Sequence, residues 1–154
     1  MLAPRFPGLV AACLLMLVHA APALAESKHF QASQRHFEDI ASMAANLSGQ
    51  VDTIGEKNLC NYFTATAMAY AIRAHAMAQL ADVRDALPQP EAKNLLGRKI
   101  SETGQFVTMH AASDISAAEG LASSSGNSRI RKLGMRLVNE LRVFTHNVTN
   151  AVSR

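Results

Sequence analysis

From about residue 27 onward, apolar residues recur three and four positions apart, and no stretch alternates long enough to make a strand, so the chain reads as all helix. The first stripe carries Phe30, Phe37, Ile40, Ala44, Leu47 and Val51 and predicts a helix over 27–48, with Gly49 as its stop. Thr53-Ile54-Gly55-Glu56 has capping-box spacing, in which the Thr hydroxyl and the Glu carboxylate each satisfy a free backbone N–H, so a second helix begins there. It continues to about 86, where Leu87-Pro88-Gln89-Pro90 ends it. Pro88 disfavours helical geometry in the residue before it, and Pro90 suits the first turn of a third helix over about 90–122. The serine-rich stretch 123–128 is a loop whose Asn127 or Ser128 caps a fourth helix running to about 152.

Four amphipathic helices joined by short turns predict an antiparallel up-down-up-down bundle. The competing architecture is a pair of helical hairpins that completes its core as a homodimer. The second helix is dense in alanine, and the third places Gly97, Gly104, Ala111 and Ala118 seven apart. Such a row lets a neighbour approach closely, at a cost in helix propensity of about 1 kcal/mol for each interior Gly. Methionines 43, 68, 77, 109 and 135 read as core filler.

The first 25 residues have the grammar of a secretory signal: Arg5 as the positive n-region, 9–18 as the apolar run, and Ala23-Leu24-Ala25 as the cleavage site. The expected mature domain is 26–154, secreted into a bacterial periplasm. A minor alternative takes Leu9-Val10-Ala11-Ala12-Cys13 as a lipobox and anchors the chain to lipid at Cys13. Loss of the leader removes Cys13 and leaves Cys60 alone, which excludes an intrachain disulfide and suits a small buried apolar residue. The 49% apolar and 18% charged composition belongs to a folded globular chain. Without Arg5, 14 basic side chains stand against 12 acidic ones, a balance too weak to point to nucleic acid.

No C-x-x-C-H, H-E-x-x-H, P-loop or G-x-S-x-G occurs, nor a pair of di-iron E-x-x-H motifs, so the common enzyme classes find no support and no catalytic residue is assigned. Two features remain. At 100° per residue, His36 falls at the edge of the first helix's apolar stripe, His110 on the margin of the third helix's stripe, and Asp114 near its centre. Counting heights along an antiparallel bundle brings His36, Tyr70, Arg73, His110 and Glu140 into one polar layer. This predicts a metal or haem site with His36 and His110 as ligands and Asp114 beside them, or a polar layer that only sets helix register. His75 and His146 fall on polar faces.

The second feature is the fourth helix, where Arg129, Arg131, Lys132, Arg136 and Arg142 all lie off the apolar stripe of Ile130, Leu133, Leu137, Leu141, Phe144 and Val148. Such a basic face suits an acidic partner protein or an anionic membrane surface. The reading favoured by the sequence is a secreted, non-enzymatic binding or interaction protein with no resident cofactor. The metal or haem binder at His36, His110 and Asp114 is the alternative.

Overall fold

The computed structural model describes the backbone of residues 8–153 and the side chains of residues 26–153. The expected leader, 1–25, with its lipobox alternative at Cys13, lies outside the residues whose side chains are described. Among the described residues the elements are α1 (Gly8–Ser48), α2 (Ile54–Ala86), α3 (Pro90–Ser124) and α4 (Ser128–Val152), with no strand. The boundaries fall where the local chemistry puts them. Thr53 caps α2 by accepting from the Glu56 N–H, Pro90 opens α3, and Asn127 caps α4 by accepting from the Arg129 N–H. Gly49 does end α1, but no glycine takes a positive φ, so the helix stops without a left-handed cap.

Side-chain pairs across the helices show the antiparallel order directly, because one residue number rises as its partner's falls. Between α1 and α4 the pairs are His36 with Glu140, Met43 with Arg136, and Gln50 with Arg129. Between α1 and α2 they are Glu26 with Arg84, Gln34 with His75, and Ser48 with Asn61. α3 meets α2 through Asp114 and Tyr70, and meets α4 through Glu119 and Arg142. The molecule is therefore an up-down-up-down four-helix bundle in chain order. Among the described residues α1 and α3 lie across a diagonal with no close backbone approach, whereas α2 and α4 meet through the centre.

The apolar stripes expected of α1 and α4 are buried in full, and they form one core with α2 and α3. Its densest part is aromatic: Phe144 stands edge-on to Phe30, Phe37 and Tyr70 with ring centroids 6.1, 5.7 and 6.1 Å away. The alanines of α2 let α1 lie close, since Ala67, Ala71, Ala74, Ala78 and Ala81 are all buried. Of the small-residue row on α3, Gly104, Ala111 and Ala118 are buried, and a Cβ on Gly104 would meet Val152 Cγ2 at 2.5 Å. The methionines correct the expectation of core filler. Met77 is buried and Met135 packs against the core, but Met43, Met68 and Met109 are exposed, because a pattern of threes and fours does not separate the edge of a stripe from its centre.

Candidate functional site

The residues expected to form one polar layer occupy two seams of the bundle. On the α1–α4 seam, His36 Nδ1 donates to Glu140 Oε2 at 3.0 Å. The His36 side chain is 56% exposed and the Glu140 carboxylate only 12%, so His36 points outward and covers a carboxylate that packs inward. His36 is thus not an inward member of the expected polar layer: the edge of α1's stripe faces the groove beside α4, where an imidazole reaches water while its ring nitrogen reaches across. Glu140 Oε1 is buried and has no hydrogen-bond partner.

On the α2–α3 seam, the Tyr70 ring is buried in the aromatic core while its hydroxyl donates to Asp114 Oδ2 at 2.7 Å. Arg73 stacks over the same ring, 4.4 Å from its centroid, with Nη1 4.0 Å from the carboxylate. Burial pushes the Tyr70 hydroxyl far above its ordinary value, and the hydrogen bond to Asp114 adds to this, so it serves as a fixed donor. His110 is exposed. Its Nδ1–H donates to its own backbone turn at Phe106 O, 2.8 Å, and its ring lies against Phe106 with centroids 4.3 Å apart. Asp114 is thus held by Tyr70 and Arg73 rather than by His110, and His36 answers to Glu140 on another seam. Among the described residues, no three His, Cys, Asp or Glu side chains gather as a metal would require.

The five cations expected to share one face of α4 also divide. Arg131 Nη2 donates to Ser125 O at 2.9 Å and Arg142 Nη2 to Glu119 Oε2 at 2.8 Å, both toward α3. Arg129, Lys132 and Arg136, three and four residues apart, line a cleft of about 440 Å³ between α4 and α1. Its floor is Met43, Leu47 and Leu133, and the end of α1 and the turn after it add the amides of Asn46 and Gln50.

The cations here are lightly engaged. Arg129 donates to the neutral Gln50 side chain. Arg136 touches Met43 Sδ at 2.9 Å and stands 3.8 Å from Asp39, while Lys132 makes no ion pair or hydrogen bond among the described residues. Sequence reasoning places these three residues on the basic face but cannot see that Met43 and Gln50 complete a concave site with them. A second cleft, about 340 Å³ on the α1–α2 flank, is occupied by its own polar side chains: Gln34 donates to Glu38 at 2.8 Å, and His75 lies 3.1 Å from Gln34.

Cys60 is fully buried near the start of α2. Burial pushes its thiol up, with the charge of Glu56 adding to the effect. No helix among the described residues is long and apolar enough to cross a membrane. The chain matches no family model, no curated protein and no solved structure.

Proposed function

We propose that this chain is a secreted, periplasmic, non-enzymatic binding protein that captures an anionic ligand in the α1–α4 cleft. The observation that carries the reading is the convergence of Arg129, Lys132 and Arg136 on one concave site, where the nearest acid, Asp39, stands 3.8 Å from Arg136 alone. Arg129 and Lys132, which form no ion pair among the described residues, gain more from an incoming anion than cations already paired, and only the long Arg136–Asp39 pair would compete. The split of the basic face favours a discrete ligand over a flat anionic surface, since Arg131 and Arg142 are turned to α3. The side chains of His36, His110 and Asp114 go to separate partners, so the metal or haem alternative gains nothing from their placement. The signal-like leader supports the secreted assignment.

Retention on an immobilised phosphate matrix tests this reading. The triple variant Arg129→Gln, Lys132→Gln, Arg136→Gln is expected to elute at clearly lower salt than the parent. The double variant Arg131→Gln, Arg142→Gln is expected to elute close to the parent. Equal loss in both variants would reduce the effect to net charge and sink the cleft as the binding site.

A further inference from the structure

We propose that the ligand of the α1–α4 cleft is a single-chain amphiphilic anion, its charged head at the Arg129–Lys132 end and its apolar chain running toward Met43. This rests on the anion-binding reading above and adds the ligand's class and its direction in the site.

The argument starts from what a small hydrated anion would leave unexplained. Cations alone would hold such an anion, yet the floor between them is Met43, Leu47 and Leu133. Leu47 and Leu133 are packed into the core, so the floor is rigid, while Met43 is 46% exposed and stands at its edge. A half-exposed thioether is an adaptable apolar surface, and Arg136 Nη1 donates to its sulfur at 2.9 Å. The cleft therefore offers apolar contact and positive charge within one volume of about 440 Å³, inside the roughly 300–1,000 Å³ range of small-molecule sites.

Direction follows from where the acids lie. At the upper end Asp39 stands 3.8 Å from Arg136, and one turn further His36 covers Glu140, so positive potential there is largely offset. At the lower end Arg129 meets only the neutral Gln50, and Lys132 has no acid among the described residues. The same end holds the first turn of α4, whose N-terminal dipole is already shared with the Glu56 carboxylate held by Asn127 and Thr53. The one acid within ion-pair distance of the cleft's cations thus lies at the Met43 end, where the apolar lining is most exposed. An amphiphile matches that arrangement in one orientation, and a plain dianion does not use it.

The test is calorimetric titration of the full chain with n-decyl phosphate below its micelle concentration, beside inorganic phosphate and 1-decanol. Burial of even two methylenes makes decyl phosphate bind at least about tenfold more tightly than inorganic phosphate. Lys132→Gln is expected to weaken decyl phosphate about tenfold and to weaken inorganic phosphate as well. Met43→Ser is expected to weaken decyl phosphate by a similar factor and to weaken inorganic phosphate by much less, so that the preference for the decyl chain shrinks. Both substitutions are at exposed positions and leave the core intact. Equal affinity for decyl phosphate and inorganic phosphate would overturn the amphiphile and leave the anion site standing. No binding of either would overturn both. Decyl phosphate binding indifferent to Met43→Ser and Lys132→Gln would place the ligand elsewhere and overturn the inference, as would binding confined to phosphatidylglycerol vesicles.

Discussion

Gly134 shows how much one missing methyl group decides at the residue scale. A Cβ there would lie 2.6 Å from Ala122 Cβ and 2.7 Å from Phe63 Cζ, so α4 can meet α3 and α2 at this height only because position 134 is bare. Neither neighbour can yield cheaply, since Ala122 Cβ is fixed to its backbone and the Phe63 ring is fully buried. Gly120, an exposed position in α3, has nothing within 4 Å of its would-be Cβ. The two glycines therefore predict opposite outcomes for one substitution. Gly120→Ala is expected to stabilise by about 0.5–1 kcal/mol through helix propensity. Gly134→Ala gains the same propensity but forces overpacking near the top of the ~1–3 kcal/mol range, for a net loss of about 1–2 kcal/mol. Urea midpoints of the two variants check this, and a Gly134→Ala protein as stable as its parent would mean that the helices are not in such close contact. In the sequence the two positions look alike, for the contact that separates them is made across helices.

Among the elements, the ends are tied as firmly as the faces. Glu56, in the first turn of α2, accepts from the Thr53 hydroxyl at 3.1 Å and from Asn127 Nδ2 at 2.9 Å, while Asn127 Oδ1 caps α4. One asparagine thus closes α4 and pins it to α2. The hydrogen bond from Asn127, followed by that from Thr53, holds the Glu56 carboxyl below the ordinary glutamate value of 4.5. A depressed carboxyl contributes stability that is fully present above pH 4.5 and is lost as pH falls through its folded value. Asn127→Asp keeps the capping oxygen but sets a second carboxylate against Glu56, so a loss of stability at neutral pH that is partly recovered as the pair takes up a proton on acidification is expected. Asn127→Ala loses the cap itself, at a cost of about 0.5–2 kcal/mol. Thermal melts between pH 3 and 7 separate the two, and identical acid limbs in all three proteins would remove the bridge from the account. These ends were legible because Thr53, Pro88, Pro90 and Asn127 act on backbone groups within a few residues of themselves. The seams were not, because helical phase says which side His36, His110 and Asp114 occupy but not at what height the neighbouring helix stands. The height of α2 brings the Tyr70 hydroxyl to Asp114, while His110, on the same helix as Asp114, turns to its own backbone at Phe106.

For the molecule as a whole, the question is whether four helices behave as one cooperative unit. The buried side chains make a single contiguous cluster that runs from Phe30 and Phe144 at one end to Val51 and Cys60 at the other, with residues from all four helices. No layer of polar side chains cuts through it: the His36–Glu140 and Tyr70–Asp114 pairs sit in the grooves, and Tyr70 keeps its ring in the core. Cys60 is a built-in reporter of that unity. It is fully buried, and its thiol is pushed up by burial, so the thiolate that attacks a disulfide reagent is scarce as well as inaccessible. Labelling then requires an opening of the core. If the core opens only as one, labelling by an aromatic disulfide reagent is slowed at least about a thousandfold relative to a free thiol. Its dependence on urea also reproduces the slope and midpoint of the helix signal in circular dichroism. A labelling rate indifferent to urea would show instead that the start of α2 opens alone, and would divide the bundle into an α1–α2 hairpin and a separately stable remainder. The ties from Glu56 and Asn127 across that region, and the Phe63 ring wedged against Gly134, argue for the single transition.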